Sequence, residues 1–136
     1  MKSIVHAAVA CALAVAAGGA AAQYATIEEA ATVTGDNVTR FESESVMRQG
    51  DTRRFDVTVA WRDGFVRPEG APPRKIVRYL VKCGPKEIAL SSVMLFGPGG
   101  ETTKMYGIAP GGWDFAPVAG GTPEAQWLEK ACSAAL

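Results

Sequence analysis

The sequence predicts an α+β domain: an antiparallel β-sheet of about five to six strands, with a C-terminal helix packed on it and one disulfide. Three observations in the 136 residues predict it. Arg54 to Arg62 alternates with period two, apolar Phe55, Val57, Val59 and Trp61 against polar Arg54, Asp56, Thr58 and Arg62. Such a strand has one buried and one wet side, the habit of antiparallel sheets. Glycine- and proline-rich turns separate several short apolar runs. Near the C-terminus the period changes to that of a helix.

Taken in order, Gln23 to about Thr34 is weakly patterned and fits a short helix or a mobile arm. Gly35-Asp36-Asn37 is a turn signal, and Val38–Ser43 follows as a short strand. Gln49-Gly50-Asp51 makes the next turn before the Arg54–Arg62 strand. Asp63-Gly64 ends that strand, and Pro68 to Pro73 is a loop. Ile76 to Cys83 is the next strand, with Val77, Tyr79, Val81 and Cys83 on one face. In Glu87 to Phe96, simple alternation puts Ile88, Leu90, Met94 and Phe96 on one side and Ala89, Val93 and Leu95 on the other. That suits a central strand. Gly97–Gly100 turns into a strand near Thr102–Tyr106, completing a hairpin.

Thr122-Pro123-Glu124 reads as an N-cap, a proline at the first helical position and an acid in the first turn. A helix to about Ser133 places Leu128, Ala131, Cys132 and Ala135 on one stripe. Cys83 and Cys132 therefore each fall on the apolar face of their own element, and a helix crossing the sheet brings them together.

The N-terminus reads as an export signal over residues 1–22, leaving residues 23–136 as one domain. Lys2 supplies the positive start, an uncharged run extends from Ile4 to about Ala17, and Ala20-Ala21-Ala22 offers the small residues of a cleavage site before Gln23. The run is shorter than the roughly 20 residues that span a bilayer. Cys11 lacks the leucine and the length of apolar run that a lipid attachment site needs, so no lipid anchor is expected. Removal of Cys11 leaves an even pair of cysteines in an oxidising compartment, which favours the bridge over a metal site or a free thiol.

The only histidine, His6, lies in that signal. The processed chain then has no imidazole for a Ser-His or Cys-His pair or for a zinc site, which rules out histidine-based hydrolysis. No catalytic, cofactor-binding or metal-binding residues are assigned, and the chain is not expected to be an enzyme. The glycine clusters at 97–100, 111–112 and 120–121 lack the Lys-Ser/Thr ending of a phosphate loop and read as turns. The carboxylates are scattered, and a pair acting on cell-wall glycan is the weaker alternative.

Nine Lys/Arg and four Asp/Glu lie between Arg48 and Lys82. They form either one basic surface for acidic proteins, polyanions or anionic lipid, or simply the solvated outer faces of strands. Trp61 and Trp127 are expected in the core. Trp113, after Ala109-Pro110-Gly111-Gly112, is the tryptophan best placed for contact. Arg54, Arg62, Arg78 and Trp113 are the candidate contact surface. A carrier for a small apolar ligand, using the Trp and Met residues, is the other alternative.

From about Val38 to Cys132, the order of elements resembles the surface-adhesin protein E-like family of bacterial exported proteins. The likeness runs through the Phe55–Trp61 strand, the strand ending in Cys83, Glu87-Ile88-Ala89-Leu90, the Gly97–Gly100 turn, the Trp113 loop and the helix closing on Cys132. It implies an antiparallel sheet with a C-terminal helix, a bridge at these two cysteines and a non-catalytic role in contacting host matrix or envelope proteins. The expected location is the periplasm, with the cell surface or exterior next, and the expected partner is a protein. A homo-oligomer stays open; nucleic acid and stable membrane insertion after signal cleavage are not expected.

Overall fold

The computed structural model describes residues 24–136; the predicted signal, with Lys2, His6 and Cys11, lies outside the described residues. The elements follow as α1 (Ile27–Ala31), β1 (Asn37–Gln49), β2 (Thr52–Trp61), β3 (Arg74–Lys82), β4 (Glu87–Phe96), β5 (Thr102–Gly107), a 3-10 turn (Pro110–Gly112), β6 (Ala116–Pro117) and α2 (Pro123–Ser133). Strands β1 to β5 form an antiparallel meander in sequence order, and β6 pairs with β4 at Glu87 and Ile88, which makes a six-stranded sheet. The α+β expectation is met, with its C-terminal helix and a Cys83–Cys132 bridge whose Cα atoms are 5.8 Å apart.

One face of the sheet builds the core. Phe55, Val57 and Val59 from β2 pack with Val77 and Val81 from β3 and with Val93 and Leu95 from β4. Helix α2 closes this layer with Trp127, Leu128 and Ala131, and α1 adds Ala30. Ala135, expected on the α2 stripe, lies past the helix end and is exposed, and Trp127 fills the role instead. Trp61 is only half-buried, because β2 ends there and its indole Nε1 donates to Pro72 O in the following loop at 2.9 Å.

Two irregularities separate the strands from simple alternation. Strand β1 runs for 13 residues rather than the six of Val38–Ser43. It continues through a bulge between Glu42 and Met47, where the Ser45 hydroxyl accepts from Asp56 N at 2.8 Å and so satisfies the interrupted ladder. In β4, Arg78 pairs with Ser92 and Tyr79 with Leu90, leaving Ser91 unpaired. Its carbonyl accepts from Ile108 N instead. This bulge reverses the side-chain alternation, so Ile88, Leu90, Val93 and Leu95 share the core face while Ala89, Met94 and Phe96 lie on the other. The faces expected from unbroken alternation are corrected accordingly.

The weak N-terminal segment is a helix with a definite start. Thr26 and Glu29 form a capping box, and the Tyr106 hydroxyl clamps the main chain of Tyr24. Two basic side chains on the core face hold the ends of the helices. Lys75 Nζ donates to Ala30 O and Thr32 O, both at 2.6 Å. Arg53 Nη1 donates to Ala131 O at 2.8 Å and Ala134 O at 2.9 Å. Carbonyls at a helix C-terminus lack intrahelical partners and carry partial negative charge, so cations belong there.

Burial holds the Lys75 amine down to about 8 from its ordinary 10.5. Between those pH values the unfolded chain binds more protons than the folded one, so the contribution of Lys75 to stability rises with pH through that window. Deprotonation leaves two N–H groups for the two carbonyls, so the contact survives. Tyr79, pushed up to about 12 by burial, acts in the opposite sense above pH 10. The urea midpoint of the wild type, relative to Lys75→Met, is expected to climb from pH 8 to pH 10. A difference that stays flat or falls over that range contradicts this account of Lys75.

Candidate binding face

The helices cover one side of the sheet, and the residues of the opposite side take no part in the core cluster. Register places them in rows across the strands. Asp56, Arg78, Ser92 and Gly107 form one row, and Thr58, Ile76, Met94 and Met105 the next. Arg54, Leu80 and Ala89 lie on one flank of these rows, with Ala60, Arg74 and Phe96 on the other. Strand β1 adds Val38, Arg40 and Glu42 opposite Ala60, Thr58 and Asp56.

The face mixes apolar and charged groups. Met105 is 59% exposed and Val38 52%, while Ile76 and Met94 are half-buried. Leu80 is fully buried on a face that no helix of the described residues closes; Arg54 stands opposite it and Lys82 follows two positions on along the same strand face, long side chains whose stems can lie over it while their charged heads stay in water.

The polar groups are ordered. Arg78 meets Asp56 through two contacts, Nε to Oδ1 at 2.8 Å and Nη2 to Oδ2 at 3.1 Å. That fork fixes geometry as well as charge. Hydrogen bonding to Asp56 raises the Arg78 pKa further. Glu42 Oε2 accepts from Thr58 Oγ1 at 2.7 Å and from Arg40 Nε at 2.9 Å. These bonds, Thr58 first, hold the Glu42 carboxyl below its usual range, and the charge of Arg74 adds to the effect. Arg74 lies over the Phe96 ring, 4.3 Å from its centroid.

Of the four residues expected to form a contact surface, Arg54 and Arg78 share this face. Arg62 sits at the end of the sheet, donating to Gly35 O and pairing with Asp36 at 3.3 Å. Trp113 is half-buried behind the 3-10 turn, its Nε1 donating to Ile108 O at 3.0 Å. The four residues do not converge. The run of basic residues from Arg48 to Lys82 also divides, because Arg53 and Lys75 turn inward to the helix ends while Arg54, Arg74 and Arg78 face outward. Strand alternation separates neighbours such as Arg53 and Arg54 that look like one cluster in the sequence.

Sequence reasoning passed over Arg74, Ile76, Met94 and Met105. The Ser91-Ser92 pair inside an otherwise apolar strand was the available sign of the bulge that brings Met94 to this side. Several hollows lie elsewhere among the described residues. One of about 130 Å³ is lined by Tyr24, Val59, Trp61 and Lys75. Another, of about 440 Å³, lies beside the disulfide against Val118, Ala125 and Leu128. Among the described residues no group of three or more His, Cys, Asp or Glu is placed to hold a metal ion, and no helix is long and apolar enough to cross a membrane.

The solved structure of Haemophilus influenzae protein E, in its crystal form II, is similar to this chain at 10% identity and a TM-score of 0.49. The match covers 75% of this chain and 91% of that one, and is a weak likeness of fold. No family model matches the sequence, and no curated protein does.

Proposed function

We propose that this chain is an exported, non-catalytic binding module that engages a protein of the host matrix or the bacterial envelope through the open face of its sheet. The observation that carries this reading is the one-sided sheet. Among the described residues the helices cover only the core face, and the other presents Ile76, Met94 and Met105 among ordered arginines. Apolar residues interleaved with arginine on a rigid platform are the composition of contact surfaces. Export rests on the signal read in residues 1–22, and the disulfide suits an oxidising compartment such as the periplasm. Residues 23–136 act as the single domain in this reading.

Glu42 and Asp56 face each other across β1 and β2, and both are engaged by arginine. A glycosidase needs an acid with a raised pKa, and Glu42 is shifted the other way. That geometry favours binding over carboxylate catalysis.

A Met94→Asp, Met105→Asp double variant is expected to keep the fold, since both side chains lie outside the core cluster. In pull-downs from envelope and matrix fractions, proteins retained by the wild-type chain should be lost with the variant. Equal retention by both removes the open face from the account.

A second reading has its own observation, the hollow beside Cys83 and Cys132 with Val118, Ala125 and Leu128 on its walls. A small apolar ligand would fit there. Native mass spectrometry of freshly purified protein that finds only the bare chain counts against it.

A further inference from the structure

Resting on the open-face reading, we infer that the partner presents a polypeptide segment with an apolar centre and carboxylates at both ends. The charge on the face is unevenly satisfied. Arg40 and Arg78 have Glu42 and Asp56 as partners within 4 Å, whereas among the described residues neither Arg54 nor Arg74 has an ion-pair partner. Arg54 contacts Met47 Sδ, and Arg74 rests on Phe96. These two guanidiniums mark opposite ends of the apolar strip. Arg54 lies opposite Leu80, six residues along β3 from Arg74, so the two positions are about 20 Å apart at roughly 3.3 Å per residue.

Between them lie Ile76, Met94 and Met105, together with Arg78 neutralised by Asp56. A segment that covers this strip puts apolar side chains on the methionines and brings a carboxylate to each end. An extended stretch of about six or seven residues spans the distance, as does a helix of about thirteen.

The same charges argue against other occupants. Four arginines stand against two central carboxylates, so a second copy of the face brings like charge onto like charge across a two-fold axis. A lipid surface must desolvate Glu42 and Asp56 in return for three cations with no ion-pair partner among the described residues, Arg54, Arg74 and Lys82, each contributing about 1 kcal/mol. Three such cations are also few for a nucleic acid backbone.

The test is selection of 15-residue peptides from a random displayed library on the immobilised processed chain. The peptides recovered are then titrated as synthetic probes into the wild type, Met94→Asp, Arg54→Glu/Arg74→Glu and the milder Arg54→Gln/Arg74→Gln. The wild type is expected to select peptides with Asp or Glu on both sides of an apolar stretch. Charge reversal at the two arginines should weaken them about tenfold, the glutamine pair by less, and added salt should weaken wild-type binding. If Met94→Asp abolishes binding while both arginine pairs bind normally, this inference falls and the open-face reading stands. If no variant matters, both fall. Failure to enrich any sequence, or arginine-dependent binding to vesicles containing phosphatidylglycerol without peptide binding, also overturns the inference.

Discussion

Replacing Cys83 and Cys132 together by alanine is expected to lower the unfolding free energy by about 4 kcal/mol. The bridge joins positions 49 residues apart, and closing a loop of that length removes entropy from the unfolded chain by about that amount in the chain-entropy model. The urea midpoint should fall by roughly 2–3 M. The loss belongs mainly to the unfolded ensemble, so the folded variant should keep its amide spectrum except near the last turn of α2. That turn retains Arg53 on its carbonyls and Trp127, Leu128 and Ala131 in the core. A loss below about 1 kcal/mol would mean that packing and the Arg53 cap alone hold α2 in place.

Phe55→Ala is expected to cost about 3–5 kcal/mol, as large-to-small changes at fully buried aromatic positions do. Phe55 has no exposed surface and stands at the centre of a ring cluster. Its centroid is 5.0 Å from Phe41, 5.7 Å from Tyr79 and 6.5 Å from Trp127. Removing it opens a cavity between β1, β2, β3 and α2 at once. Met94→Ala on the other face should cost about 1 kcal/mol or less, because water and neighbouring side chains already share that surface. Chemical denaturation of the two variants checks this asymmetry. Equal costs would mean that the sheet buries both faces.

The residues that reveal the fold from sequence are those whose period is unbroken. Phe55, Val57 and Val59 alternate cleanly, and Thr122 to Ser133 carries both a cap and a helical stripe. Strand β2 and helix α2 were therefore legible, and with them the facing positions of the two cysteines. The succession of β1 to β5 along the chain was marked by turns such as Gly50, whose φ of 64° suits glycine.

What periodicity could not show lies at the bulges. Ser91 reverses the faces of β4 and Ser45 lets β1 continue, and each depends on a hydrogen bond to a residue distant in sequence. The inward lysine and arginine were illegible for a similar reason. Lys75 looks like an outer-face charge until the carbonyls of Ala30 and Thr32 are brought to it by the fold. The candidate face was half legible. Arg54 and Arg78 were found through strand alternation, whereas Met94 and Met105 needed the bulge and the β4–β5 register.

The most direct test of the open face as the contact surface is site-specific photo-crosslinking in the native envelope. A benzoylphenylalanine is placed at Met94 in one variant and at Glu129, an exposed position of α2, in another. The account predicts a discrete protein adduct from position 94 and none from position 129. An adduct from 129 with none from 94 would contradict it.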